Sequence, residues 1–435
     1  MPSKQELMRM LSTLEEKLED EQVQLKDMSL AVREGEYSPV SGRETETEET
    51  LEILNQCRKA NPILVGPAGA GKTAIAEAVA QVFALYGNRL PGNLKNSKLL
   101  SLSVTDLIAD TGIVGELEKR IRNLTNQLTG KKAILFIDEI HTLFGAGAGG
   151  RSQADAVNLL KPLLSRDGLR IIGATTDMEY ASIILSDPAF ERRFTPVRVA
   201  PLSRNATVDA IRAYAKYRNI QISNEVMLER IVHLAQVVLP HRALPDSAID
   251  LFERTASVSQ LQGKKKIDES CLRHAALRAA HLSLDVTERL ARVVGKVPSL
   301  KPIQDGLHAF FEGHRTTPVV FDCANGKQAS QIAQELGDAV GGLIEIDISR
   351  VGHRELLGAE PGTAGYGERR PLHGLIEAPF SVLLIRGSDQ AGEHKSLLDD
   401  LLKRGVIEDS RGRQVWARVI VTAPVNKDDK TIGFV

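Results

Sequence analysis

The stretch Gly66-Pro67-Ala68-Gly69-Ala70-Gly71-Lys72-Thr73 constrains this chain more than any other part of its sequence. It matches GxxxxGK(S/T) in full. It also lies directly after the apolar run PILV and before the amphipathic run TAIAEAVAQVF, so the order reads strand, loop, helix. The glycines let backbone N–H groups curl around phosphate oxygens with no Cβ in the way, and the helix N-terminus adds a positive dipole end. In such a loop Lys72 reaches the β- and γ-phosphates, and the Thr73 hydroxyl ligates Mg²⁺. The whole segment from Gly66 to Thr73 is therefore the expected phosphate cradle.

The neighbouring sequence supplies the rest of a sheet. PILVG (62–66), KLLSLSV (98–104), AILFID (133–138) and LRIIGATT (169–176) are apolar runs separated by helical stretches. That pattern predicts a parallel sheet covered on both faces. The third run delivers Asp138 at its carboxyl end, where it can hold a hydrated Mg²⁺, with Glu139 beside it to polarise an attacking water. The fourth ends in Thr175 and Thr176, either of which can hydrogen-bond that water or a phosphate. The alternative for this position is a helix cap, since Asp177 follows. Further on, Arg192 and Arg193 lie on a short surface segment, DPAFERRF.

Residues 3 to about 34 read as one helix, with capping-box spacing at Ser3 and Glu6 and a leucine repeat through Met28. Gly35, Ser38, Pro39 and Gly42 then mark a boundary. A helix-rich stretch runs from about 203 to 290. A third block, 295–435, returns to alternating runs: PVVFDC, GLIEIDI, SVLLI and ARVIVTA. Two α/β blocks around a helical insert look like a divergent internal duplication. The resulting domains are 1–37, 38–202, 203–290 and 295–435.

Composition narrows the partners. Lys and Arg total 55 against 56 Asp and Glu, a net charge of -1, so a nucleic acid would find no overall attraction. No run approaches a membrane span, and the first residues lack the apolar core of a signal peptide. The three cysteines are odd in number and far apart, which argues against a disulfide framework. A soluble, cytoplasmic protein is the expectation.

Six ordered segments carry a resemblance: GRETETEETLEIL (42–54), GPAGAGKTAIAEA, LFIDEIHTLFGAG, LLKPLLSRDGLRIIGATTDMEY, DPAFERRF and LPDSAIDLFERTAS (244–257). In order and spacing they resemble the first ATPase domain of Clp-type AAA+ proteins, the group of protein unfoldases and disaggregases. The resemblance implies a large α/β subdomain, a small helical lid, ATP bound between subunits and a ring, usually hexameric. It assigns Glu139 as catalytic glutamate, Thr176 as the sensing polar residue, and Arg192 and Arg193 as arginines acting across the subunit interface. It places Val40 and Asp246 where that family lines the adenine pocket.

The third block looks like a decayed second ATPase domain of the same family. FDCANGKQ is shorter than a phosphate loop, Arg386-Gly387-Ser388-Asp389 stands where an Asp-Glu pair belongs, and Thr422-Ala423-Pro424 replaces the polar sensor. Two loops that grip substrate in the family's threading members carry Ile113 and Thr363 where an aromatic residue is expected. The leading expectation is an ATP-hydrolysing ring that remodels protein complexes. The alternative is a nucleotide-gated scaffold for a secretion or transport machine.

Overall fold

The computed structural model describes residues 23–108, 114–128, 131–144, 157, 160–161, 169–312, 315, 317–359, 370–410 and 412–425. The chain divides into two compact units between Leu202 and Ser203.

The first unit is built on a six-stranded sheet. Its strands are β1 (Leu25–Asp27), β2 (Asn61–Val65), β3 (Lys98–Leu102), β4 (Ala133–Ile137), β5 (Arg170–Thr175) and β6 (Phe194–Arg198), in the order β1-β3-β4-β5-β2-β6. All neighbours are parallel except β1, which runs antiparallel to β3. Every residue of β2 and β4 is buried. Alternate side chains enter opposite cores: Ile63, Val65, Leu135 and Ile137 on one face, Leu64, Ile134 and Phe136 on the other. A strand covered on both sides has no polar face to show, so its sequence is a plain apolar run.

The single helix expected over residues 3–34 is not what forms across the described part. Leu25–Asp27 is an edge strand, with Leu25 opposite Leu102, and only Met28–Arg33 (α1) is helical. Asp27 stops the strand and starts the helix, its carboxylate accepting the Leu30 N–H at 2.9 Å. The apolar residues that suggested one stripe are divided between the two faces of the sheet: Val23 and Leu25 join one core, Met28 the other. Residues 3–22 of that expected helix lie outside the described residues.

The second unit begins with four principal helices, α2 (Arg204–Tyr217), α3 (Val226–Val238), α4 (Asp246–Leu261) and α5 (Glu269–Ala279). After two more, α6 (Val286–Lys296) and α7 (Lys301–Phe311), comes a four-stranded parallel sheet: β7 (Val319–Asp322), β8 (Leu343–Asp347), β9 (Val382–Arg386) and, after the hairpin β10 (Val406–Glu408) and β11 (Gln414–Trp416), β12 (Val419–Ala423). One core runs from Ile211 on α2 to Ala423 on β12, so the helical stretch and the third block share a single apolar interior.

The strand order of this second sheet is β7-β12-β9-β8. Counting each sheet from its loop-bearing strand, the first places β2, β3, β4 and β5 in the spatial order β2-β5-β4-β3. The second places β7, β8, β9 and β12 in the same permutation. The duplication inferred from sequence is thus present as topology. In the first sheet β6 covers the outer edge of β2. Among the described residues, no strand covers the matching edge of β7.

Candidate phosphate-binding site

The loop Gly66–Gly71 leaves β2 at the carboxyl edge of the sheet and enters the helix α8 (Lys72–Tyr86). Open α/β sheets place their ligand crevice at this edge. Gly69 and Gly71 have φ of +80° and +93°, a left-handed path that a side chain resists. Gly66 is required for a different reason: a Cβ there would stand 2.0 Å from the Val199 carbonyl oxygen. No side chain caps the start of α8, whose cap residue is Gly71, so its first N–H groups face outward as an anion site.

Lys72 Nζ donates to the carbonyls of Gly66 at 2.8 Å and Pro67 at 3.0 Å, folding over its own loop. Burial lowers its pKa, an effect that Asp138 and nearby carboxylates oppose. The Thr73 hydroxyl donates to Asp138 Oδ2 at 2.8 Å across 65 residues of sequence. A hydroxyl and a carboxylate so placed are hard oxygen donors of the kind Mg²⁺ takes alongside phosphate and water, so these residues fit the ion.

Glu139 sits in the left-handed region at φ +47°, uncommon and strained for a residue with a Cβ. The turn after it holds it there. Thr142 donates its N–H and its hydroxyl to the Glu139 carbonyl, both at 2.8 Å, and Ile140 and Leu143 are buried. His141 Nδ1 lies 3.1 Å from Thr175 Oγ1, tying this turn to the end of β5. Gly173 lets the turn approach, because a Cβ there would come within 2.9 Å of Ile140 Cδ1. His141, Thr142 and Gly173 carry no motif of their own; their signal in the sequence is position beside Asp138-Glu139 and within IIGATT.

The two threonines at the end of β5 divide the alternatives between them. Thr176 accepts the Glu179 N–H at 3.4 Å as the cap of a short helical turn, while Thr175 is buried and faces His141. Arg192 and Arg193 follow the helical turn Pro188–Glu191, which Phe190 anchors against Phe144 and Phe194. Asp187 caps that turn. Burial alone would raise its carboxyl, but the Lys161 ammonium at 2.5 Å and two backbone N–H groups hold it below the ordinary carboxylate range.

The arginines directly precede β6, and β6 opens opposite Asn61, the first residue of β2. Buried Asn61 fastens this edge, donating to the Arg193 carbonyl at 3.0 Å and accepting from Ile171 N at 2.9 Å. The arginines therefore stand at the amino edge of the sheet, about 13 Å of strand from the phosphate loop at the carboxyl edge.

Val40 is half-buried in the first unit. Asp246 opens α4 in the second, 3.9 Å from Arg242, and burial raises its carboxyl. Ile113 and Thr363 lie outside the described residues.

In the second unit the corresponding corner is closed. Three residues, Cys323, Ala324 and Asn325, join β7 to the helix α9 (Gly326–Val340), and Asn325 Oδ1 takes the Lys327 N–H at 2.8 Å. At the end of β9 stands Arg386, where Asp138 follows β4. It donates to Ser330 Oγ at 2.6 Å and to Glu345. Gly387 then takes the same left-handed turn as Glu139, at φ +70°, before a comparable 3₁₀ turn.

Comparison with known proteins agrees with this geometry. Residues 62–199 match the model of the ATPase family associated with various cellular activities, and residues 208–290 match the AAA lid domain. A heat shock protein 104 of Schizosaccharomyces pombe is 42% identical over 237 residues, 53% of this chain and 26% of that protein. The ATP-dependent Clp protease ATP-binding subunit ClpE of Lactococcus lactis is 29% identical over 93% of this chain and 66% of its own length. A solved structure of Hsp104 with ATPγS and FITC casein superposes with a TM-score of 0.76 at 30% identity, covering 92% of this chain and 74% of that one. The chain thus spans from about a quarter to two thirds of the length of these curated relatives.

Proposed function

The chain belongs to the Clp-type AAA+ ATPases, and from that premise we propose that it is an ATP-hydrolysing ring protein that remodels protein complexes, with chemistry confined to its first unit. Lys72 turns from the Gly66 and Pro67 carbonyls to the phosphates, and the loop N–H groups of Gly66–Thr73 cradle them. Thr73 and Asp138 hold Mg²⁺, which neutralises phosphate charge. Glu139 takes the proton of the attacking water. Thr176, beside Thr175, senses the γ-phosphate, and the family positions for adenine contact are Val40 in the first unit and Asp246 in the second.

Arg192 and Arg193 complete the site of an adjacent copy in a hexameric ring. Their place at the amino edge of the sheet supports this, since their own phosphate loop is at the carboxyl edge. The proposed divisions are a linker to 37, an ATPase subdomain over 38–202, a lid over 203–290 and an inactive second domain over 295–435. Hsp104 structures solved with casein support a protein client. A cytoplasmic location is part of the same proposal; no helix among the described residues is long and apolar enough to cross a membrane.

The observation that carries the reading is the Thr73–Asp138 contact beside a strained Glu139. Strain of this kind persists where the surroundings over-determine it, and it clusters at functional sites. It also favours turnover over a purely static scaffold, which needs no water-activating glutamate. The test is hydrolysis of ATP with Mg²⁺ by wild type and Glu139→Gln. The variant is expected to bind ATP while losing at least about 100-fold in turnover. Unchanged turnover removes Glu139 from its role, and absence of ATP binding by the wild type removes the whole reading.

A further inference from the structure

We propose that Arg43 is a positioning residue that ties the phosphate loop to the segment Val199–Ala200, through which the first unit's last strand leads toward the second; the proposal rests on the site reading above. Arg43 precedes the helix α10 (Glu44–Asn55) and is only 4% exposed, unusual for a guanidinium. One nitrogen donates to two backbone carbonyls: that of Ala70 inside the loop, and that of Ala200 at 2.7 Å. Another meets Glu46 at 2.5 Å, which balances the buried charge.

The Ala70 contact acts on the cradle through covalent geometry. In a trans peptide the C=O and the following N–H point in opposite directions. Pinning the Ala70 carbonyl therefore sets the direction of the Gly71 N–H, in the residue that opens α8 at φ +93°. A lysine, with a single ammonium on a flexible stem, holds two carbonyls less well than a planar guanidinium.

A second contact joins the same two segments independently of Arg43. Gly66 packs so closely on Val199 that no Cβ fits, and Val199 N donates to the Val65 carbonyl at 2.8 Å. The loop thus touches this segment at both ends: at Gly66 directly, at Ala70 through the guanidinium. Ala200 lies two residues before the boundary at Leu202. A shift of the loop on phosphate is transmitted to the chain that leaves β6.

The test compares wild type with Arg43→Ala, Arg43→Met and Arg43→Lys by two readouts. The first is amide hydrogen exchange with no nucleotide added. Exchange over residues 66–73 and 199–202 is expected to quicken about tenfold in the Ala and Met variants, with β3 unchanged and Lys in between. The second is nucleotide affinity: the dissociation constant for ATP with Mg²⁺ is expected to rise about tenfold, while turnover at saturation changes less than about threefold. Should Arg43→Ala not fold, the Met and Lys variants carry the comparison. Exchange that is unchanged, or that rises uniformly across the unit, overturns the proposal. If the wild type binds no ATP, the site reading fails while the exchange pattern still judges Arg43.

Discussion

The two sheets keep one strand permutation yet end in opposite local chemistry. After β2, six residues with two left-handed glycines open a loop and leave the helix start without a side-chain cap. After β7, three residues suffice, and Asn325 occupies the N–H that an anion would need. After β4 a carboxylate meets a threonine hydroxyl; at the end of β9 an arginine bridges to Ser330 and Glu345. The next position is the most informative. Both turns require positive φ, and the second unit satisfies it with Gly387 while the first keeps Glu139 at a conformational disadvantage. The scaffold is maintained by burial, which many sequences satisfy. A reactive corner depends on a few groups that stability alone would discard.

The largest expected effect tests whether the intact corner is completed by another copy. Arg192→Ala should lower ATP turnover about 1000-fold, and mixing it with Lys72→Ala subunits should restore part of it. No recovery at any mixing ratio would mean each first unit works alone. Next is the strained glutamate: Glu139→Gly should lower turnover at least about 100-fold yet stabilise the first unit by about 1 kcal/mol in denaturant melts, because glycine adopts this conformation freely. A loss of stability would break the parallel with Gly387.

Lys72 offers a smaller effect. Burial lowers its pKa, so it sheds its proton at lower pH than an exposed lysine. Since only the ammonium attracts phosphate, ATP affinity should weaken as pH rises through that lowered value, by less than about tenfold per pH unit, and Lys72→Arg should move the loss to higher pH. A binding titration that is flat from neutral to alkaline pH would separate Lys72 from the phosphates. Smallest is Asn325→Ala, expected to destabilise the second unit by about 1 kcal/mol while leaving ATP turnover unchanged. A gain of nucleotide binding at this corner would show that the cap alone had closed it.

Much of this architecture was legible. The four inner runs of the first block and the four of the third appear as strands, and those buried on both faces, β2, β4, β9 and β12, announce themselves as nearly unbroken apolar sequence. The two edge strands of the first sheet do not: Leu25–Asp27 and Phe194–Arg198 mix polar and apolar residues, and a leucine repeat made the first resemble helix. Thr73 and Asp138 were legible as partners because motif spacing brings β2 and β4 into one sheet. Arg43 was not, because its carbonyl partners are 27 and 157 residues away.

By itself, the sequence determined which segments must be buried and which loop can surround a phosphate, because both depend on local residue type: apolar runs, and glycines ahead of a lysine and a threonine. Only the tertiary structure decided which threonine of the Thr175–Thr176 pair caps a turn, which edge of the sheet holds the arginines, and what secures the loop. Those outcomes depend on strand register and on hydrogen bonds between distant carbonyls, which every residue carries alike and no sequence pattern marks.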